Sequence, residues 1–212
     1  MAQVHPLTQA IIDGDRAAAT ELTRACLEEG EAPADIIEGR LVPGMAVIGE
    51  QFQKDEIFVP EMLIAANAMK ASLAILEPLI AESGFKAPHT AVIGTVQGDL
   101  HDIGKNLVGM MWRGANFAVI DLGVNVTPAE FAAAAREHRP DIVGMSALLT
   151  TTVPHMREAV AAVKATGVDT KVLVGGAPVS AEFAAEVGAD GFAEDAGAAA
   201  DVARRLVAAA QA

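Results

Sequence analysis

Short apolar runs alternate with amphipathic segments throughout the C-terminal part of the chain, and this alternation restricts the folds open to it. The apolar runs predict five strands, at 90–96, 118–121, 141–146, 171–175 and 191–193. The intervening segments predict helices at 103–113, 128–138, 153–166, 180–187 and 196–210. Because consecutive strand–helix units favour a parallel sheet with helices on both faces, we expect a doubly wound, flavodoxin-like (Rossmann-type) α/β domain.

The N-terminal part follows a different pattern. Residues 1–83 have the apolar spacing of helices and contain no alternating run typical of a strand. Asp15 is a candidate N-cap, and Pro33 is a candidate first helical residue. We therefore expect a helical cap domain, a bundle of about four helices. Glycine and proline at 84–89 predict a linker to the α/β domain at 90–212.

Composition and charge exclude several classes of protein. The 212-residue chain is 52% hydrophobic, but its alanine-rich helices account for the excess, and no uninterrupted apolar stretch reaches the roughly 18 residues that span a bilayer. A net charge of −13 repels nucleic-acid phosphates. The single cysteine, Cys26, cannot form an internal disulfide, and the N-terminus lacks an export pattern. We expect a cytoplasmic protein that binds neither nucleic acid nor membrane.

A carboxylate and an imidazole follow the first predicted strand. Asp99 and His101 are two residues apart on the loop that leads into the next helix. In the common strand order 2-1-3-4-5, this loop borders the crevice in which open sheets bind ligands. A histidine that donates one ring proton to a carboxylate keeps its other nitrogen as a more basic metal ligand. The pair also fits a simple turn, with Asp99 capping the next helix and His101 facing solvent.

Two further loops lie at the same edge. One carries hydroxyl side chains, and the other carries glycines, which have no side chain. Ser146, Thr150 and Thr152 follow the third predicted strand, and Gly175-Gly176 end the fourth. Gly104, at the start of the first sheet helix, also lets a ligand approach the backbone closely. Three open loops on one side favour a large, flat or tailed ligand. Helix capping is the alternative for these hydroxyls, and we expect at least one of them to have that role.

Several other residues are open to two interpretations. Phe52, Val59 and Met62 have the spacing of a helix core, but they also flank a connection that suits a cover over a hydrophobic ligand. Lys105 and Asn106 open a helix whose backbone N–H groups can meet a ligand, and a surface role for Lys105 is equally open.

Other site types are absent from the sequence. No G-x-G-x-x-G motif follows the first strand, and no phosphate loop ending in Gly-Lys-Ser/Thr is present. Cys26 has no second thiol with which to bind zinc. The third strand ends in Ser146 rather than in the aspartate of a phosphoacceptor receiver.

The motifs together resemble the cobalamin-binding module of methyltransferases. Similar modules occur in methionine synthase and in the stand-alone corrinoid proteins of methylamine, methylthiol, methanol and methoxy-aromatic systems. The resemblance covers nearly the whole chain. It is carried by Asp99-Leu100-His101-Asp102-Ile103-Gly104, Ser146 to Thr150, Gly175-Gly176-Ala177, and residues 41–52 and 58–61.

The resemblance implies a role for each motif. His101 would be the lower axial ligand to cobalt, Asp99 would accept a hydrogen bond from its ring, and Thr152 would extend the pair to a triad. Phe52 and Val59 would shield the other face of the corrin. The implied cofactor-binding residues are Phe52, Val59, Met62, Gly98, Asp102, Ile103, Gly104, Ser146, Leu148, Thr150, Gly175 and Gly176.

The implied function is methyl carriage in methylotrophic one-carbon metabolism. A substrate-specific methyltransferase would place a methyl group on Co(I) of the bound cobalamin or related corrinoid. The resulting methyl-Co(III) would pass the group to a second methyltransferase with a thiol coenzyme or tetrahydrofolate as acceptor. A reductive activase is a further expected partner, and we expect no turnover by the chain alone. The alternatives are an adenosylcobalamin mutase subunit and a cobalamin-based light sensor.

Overall fold

The computed structural model describes residues 4–83 and 87–210. These residues form two compact units. One is helical and contains the chain up to Pro88 together with Gly114–Asn116, and the other is an α/β unit containing His89–Arg113 and the chain from Phe117 onward. Of the predicted linker at 84–89, residues 84–86 lie outside the described part, and His89 already belongs to the first strand.

The helical unit contains α1 (Pro6–Ile12), α2 (Arg16–Glu28), α3 (Pro33–Ile36), a π-helical turn (Ile37–Leu41), α4 (Val42–Gln53) and α5 (Val59–Ser83). Asp15 caps α2 as predicted, since its Oδ1 accepts a hydrogen bond from Ala18 N at 2.9 Å. Pro33 is the first residue of α3, where its missing N–H leaves no helical hydrogen bond unmade.

One described helix, α5, contains a segment long and apolar enough by length and composition to cross a membrane, Val59–Leu76. Within the helical unit, α5 packs against α2 and α4. Met62, Ala68 and Leu76 on this helix are fully buried. The buried share of the segment is 33%, so α5 packs one apolar face into the helical unit, as an amphipathic bundle helix does.

The α/β unit is a five-stranded parallel sheet with helices between its strands. Its order, β2-β1-β3-β4-β5, confirms the predicted doubly wound arrangement. The strands are β1 (His89–Thr95), β2 (Phe117–Asp121), β3 (Ile142–Ser146), β4 (Lys171–Gly175) and β5 (Gly191–Ala193). The helices are α6 (Ile103–Gly114), α7 (Pro128–His138), α8 (Val153–Lys164), α9 (Ala181–Val187) and α10 (Ala196–Ala210).

The middle of the sheet is the core of this unit. Val92, Val143 and Val172 lie on the three central strands and are fully buried. Gly144 of β3 makes room for the Trp112 ring of α6, because an added Cβ would lie 2.4 Å from that ring. A sheet covered on both faces leaves the ends of its strands as the place where polar side chains can gather. The chain adds β2 on one side of β1 and then β3 on its other side, and this reversal of strand order opens a crevice between the ends of β1 and β3.

Candidate functional site

The loop after β1 holds the predicted carboxylate–imidazole pair. His101 Nδ1 lies 2.7 Å from Asp99 Oδ1, and the backbone N–H of His101 donates to the same oxygen at 3.0 Å. Thr95, the last residue of β1, donates its hydroxyl to the carbonyl of His101 at 2.9 Å. The His101 side chain is 51% exposed, whereas that of Asp99 is completely buried. The buried Asp99 carboxylate therefore orients the His101 ring, which is half exposed to solvent.

Asp99 also joins this loop to the connection between β3 and α8. Its Oδ2 accepts hydrogen bonds from Leu148 N at 2.7 Å, Leu149 N at 3.2 Å and the Thr152 hydroxyl at 2.8 Å. Burial by itself would raise the pKa of Asp99. The hydrogen bonds from Leu148, from the backbone and ring of His101 and from Thr152 outweigh burial and hold that pKa well below its usual range. Asp99 is therefore an ionised carboxylate.

Thr152 is placed for the triad and not for capping. It precedes α8 at the N-cap position, but its side chain makes no capping hydrogen bond. Its buried hydroxyl instead lies 2.8 Å from both Asp99 Oδ2 and the carbonyl oxygen of Leu149. The threonine methyl group leaves the hydroxyl in contact with the carboxylate.

Three of the four predicted glycines differ in what surrounds them. A Cβ on Gly176, where φ is +122°, would lie 1.9 Å from the carbonyl oxygen of Ala147, and one on Gly175 would lie 2.8 Å from that of Ala193. The fold itself therefore requires both. Gly104 lies in α6, and a Cβ there would have no neighbour within 4 Å. The described residues therefore leave this helical position uncrowded.

The other predicted residues of the α/β unit lie around the same edge of the sheet. Gly98 has a φ of +80°, and Asp102 is exposed at the start of α6. Ser146 ends β3, and its carbonyl accepts a hydrogen bond from Val96 N at 3.0 Å. Thr150 is exposed in the turn before α8. Apolar side chains are exposed on the same loops, namely Leu100, Ile103, Leu148 and Leu149.

The remaining predicted residues belong to the helical unit. Phe52 is near the end of α4 and Val59 begins α5, and both are partly buried. Met62 is 1% exposed, as expected of a side chain in the bundle core.

Among the described residues, one cluster of three metal-ligating side chains lies in the helical unit: His5, Cys26 and Glu31. Its members have other partners, since His5 Nδ1 caps α1 and Glu31 pairs with Arg40. Burial, followed by the charge of Glu31, raises the pKa of the Cys26 thiol. A protonated thiol is a poor metal ligand, so we assign no metal to this cluster.

Two residues of the α/β unit differ from the prediction. Lys105 is buried, and Asn125 was not among the predicted site residues. The Lys105 side chain is 2% exposed and pairs with Asp121, so the surface role left open for it is wrong. Asn125, in the loop after β2, accepts a hydrogen bond from Gly98 N at 2.8 Å and donates its own N–H to the carbonyl of Asp99. Its position after a parallel strand, at the same edge as Asp99, was the available signal.

Comparison with known proteins gives a consistent result over the whole chain. Residues 89–203 and residues 3–77 each match a family model described as a B12 binding domain. A corrinoid protein of Desulfitobacterium hafniense strain Y51 is 42% identical over 212 residues, 98% of each chain. Trimethylamine corrinoid protein 1 of Methanosarcina mazei is 39% identical over 191 residues, 88% of each chain.

A solved structure is similar in fold as well as in sequence. It is the methanol:cobalamin methyltransferase complex MtaBC from Methanosarcina barkeri, one chain of which superimposes with a TM-score of 0.84 at 30% identity. The match covers 97% of the present chain and 79% of that chain.

Replacing Asp99 with asparagine tests the buried carboxylate. We expect Asp99→Asn to lower the free energy of unfolding at pH 7 by about 2 kcal/mol, because the new amide donors face existing donors. The folded pKa of Asp99 is depressed, so its stabilisation is complete above the unfolded pKa of about 3.9 and declines below it. The difference from wild type should therefore shrink by about 1 kcal/mol at pH 3.

Urea unfolding at the two pH values measures both quantities. Asp102→Asn is the matched control, since Asp102 is an exposed carboxylate on the same loop. It should change the unfolding free energy by less than about 0.5 kcal/mol. An Asp99→Asn variant as stable as wild type at pH 7 would contradict the assigned hydrogen bonds.

Proposed function

Because this chain belongs to the B12-binding corrinoid proteins of methyltransferase systems, we propose that it carries a methyl group on a bound corrinoid between two methyltransferases. The observation that carries the proposal is the buried Asp99 carboxylate, which orients the half-exposed ring of His101. When bound, the corrinoid supplies the cobalt centre that holds the methyl group. The chain supplies binding, orientation and control of a proton.

The residues present fit a corrinoid. Asp99 occupies Nδ1 of His101, so Nε2 is the ring nitrogen left for a metal. The open space over Gly104 and the exposed apolar side chains of Leu100 and Ile103 suit a large ligand with apolar edges. Leu148 lies exposed on the facing loop, and its backbone N–H binds Asp99. The metal-ligating residue and the ligand-contacting residues are thus on loops that share one carboxylate.

We propose that Asp99 and Thr152 control the proton on His101. His101 Nε2 would hold the metal while Nδ1–H donates to Asp99. Where Nε2 would carry a proton instead, the ionised carboxylate would stabilise the resulting imidazolium. Thr152 donates to the other carboxylate oxygen and keeps Asp99 in position throughout. Ligation and proton uptake are therefore coupled through one buried group.

The proposal includes a role for the helical unit. Phe52 and Val59 are partly buried apolar side chains, and we propose that they contact the corrinoid. An apolar cover there excludes water from a reactive metal–carbon bond.

The partners belong to the same proposal. The methyl donor is brought by a substrate-specific methyltransferase, and a second methyltransferase transfers the group to a thiol coenzyme or to tetrahydrofolate. A reductive activase would supply the electron that returns an oxidised metal to its reduced state. The net charge of −13 suits docking on basic protein surfaces and disfavours nucleic acid. The proposed location is the cytoplasm, where these acceptors and a reductant are available.

Axial ligation by His101 can be measured directly. Protein labelled with nitrogen-15 only at histidine is loaded with unlabelled cobalamin and reduced to the paramagnetic Co(II) form. We expect the electron paramagnetic resonance lines of wild type to split into doublets, because one nitrogen-15 nucleus binds the metal. His101→Ala should instead show the triplets of the cofactor's own base or no nitrogen splitting.

The control for that measurement is His138→Ala, at the exposed end of α7. It should give the wild-type doublets. Triplets in wild type, or visible spectra that His101→Ala leaves unchanged, would refute histidine ligation.

The space over Gly104 gives a second prediction. Gly104→Ala should stabilise the ligand-free protein by about 0.5–1 kcal/mol, because alanine is the better helix former. The same methyl group should lower cobalamin affinity at least tenfold by occupying space that the ligand needs. Equilibrium dialysis and urea unfolding measure the two effects.

Gly109→Ala is the matched control in the same helix, since its Cβ would make only ordinary contacts at 3.5 Å or beyond. It should leave cobalamin affinity unchanged. Equal affinities for Gly104→Ala and wild type would remove Gly104 from the binding site.

Methyl carriage itself is tested with methylcobalamin labelled with carbon-13 at the methyl group. The loaded protein is incubated in separate reactions with a methyltransferase for thiols and one for tetrahydrofolate. We expect the label to pass to one acceptor, faster than from free methylcobalamin at equal concentration. Retention of the label in both reactions, with tighter binding of adenosylcobalamin than of methylcobalamin, would favour the mutase class instead.

A further inference from the structure

Lys105 is buried beside the loop after β1. It has no part in the methyl carriage proposed for this chain. It lies in the first turn of α6, four residues after His101, and its side chain is 2% exposed. Its Nζ donates to Asp121 Oδ2 at 2.5 Å and to Asn106 Oδ1 at 2.7 Å. A buried ammonium group is costly unless it is paired and hydrogen-bonded. The ammonium group of Lys105 has both, because Asp121 and Asn106 accept its hydrogen bonds.

Asp121 fixes the beginning of the loop that follows β2. It is the last residue of β2, and its Oδ1 accepts a hydrogen bond from Gly123 N at 2.8 Å. The carbonyl of Gly123 accepts from Thr95 N at 3.0 Å. Thr95 in turn donates its hydroxyl to the carbonyl of His101. The ion pair is thus continuous, through hydrogen bonds, with the backbone of the metal-binding loop.

Asn125 completes the connection two residues further on. It has a φ of +55°, a conformation that asparagine adopts more readily than most residues. In this conformation its Oδ1 accepts from Gly98 N at 2.8 Å, and its own N–H donates to the carbonyl of Asp99 at 2.9 Å. The loop after β2 therefore contacts the loop after β1 just before His101. Lys105 pairs with Asp121 just after His101, at the start of α6.

We propose that Lys105, Asp121 and Asn125 form a loop clamp that positions His101 for metal binding. The His101 ring is half exposed, and its one described protein partner is Asp99. Its position therefore depends on the backbone that carries it, and the clamp holds that backbone on both sides. This inference rests on the proposed corrinoid function and adds positioning residues to it. None of the three is assigned direct contact with the metal.

If the loop clamp positions His101, then disrupting it should weaken the bond between His101 and the metal without unfolding the protein. Lys105→Met keeps the apolar stem, and the Asp121 side chain, 34% exposed, can be solvated. Asn125→Gly keeps the positive φ and removes the side-chain oxygen, whereas Asn125→Asp keeps both. We expect Lys105→Met and Asn125→Gly to weaken ligation at least tenfold. Asn125→Asp should stay within about twofold of wild type.

The measurement is a pH profile of ligation in the cobalamin-loaded protein, followed by its visible spectrum. Protons compete with the metal for the imidazole, so a tenfold weaker bond moves the midpoint of ligand release about one pH unit upward. The same variants carry the nitrogen-15 histidine label, which identifies the bound nitrogen. Lys164→Met is the matched control, because Lys164 forms an ion pair with Asp190 at the surface of the same unit.

The outcomes separate the clamp from a general effect on folding. A purely structural role would lower unfolding stability but leave the release midpoint of the folded fraction at the wild-type value. If Lys105→Met does not fold, Asn125→Gly carries the test. Wild-type midpoints in both variants would overturn the clamp. Failure of the proposed function is distinct, because wild type itself would then lack the nitrogen-15 doublets.

Discussion

The α/β unit depends on one buried carboxylate at the edge of its sheet. Asp99 is completely shielded from water and remains ionised because hydrogen bonds from two different loops reach its oxygens. The same bonds connect the loop after β1 to the loop between β3 and α8, and they orient the His101 ring. Removing the charge would leave several buried donors without an acceptor. Local stability and ligand geometry therefore have a common origin.

The parallel sheet explains why these groups meet. Carboxyl ends of neighbouring parallel strands lie at the same edge, so loops far apart in sequence become adjacent. Asp99 and Thr152 are separated by 53 residues along the chain but lie 2.8 Å apart. The glycines at this edge differ in what surrounds them. Gly175 and Gly176 accommodate neighbouring backbone, whereas Gly104 faces open space. Glycine at this edge thus serves the fold at two positions and leaves a helical position uncrowded at a third.

Much of the fold was predictable because its signals are local. The five strands and the helices between them were predicted to within a few residues, since alternating apolar runs and caps such as Asp15 depend only on near neighbours. The Asp99–His101 pair was predictable for the same reason. Lys105 was not, because its partner Asp121 lies 16 residues away and nothing local distinguishes a buried lysine from a surface one. Asn125 was also not predicted, although its position after a parallel strand at the same edge was a signal for it.

The sequence by itself determined the order of the elements, the residue types at the sheet edge and the spacing of carboxylate and imidazole, because each is a property of the covalent chain and its periodicity. The tertiary structure alone decided which glycine faces open space and that a lysine is buried beside the loop. These facts depend on distances between segments that the chain brings together only when the sheet closes. Solvation of Asp99 and Lys105 is likewise a property of their packed surroundings.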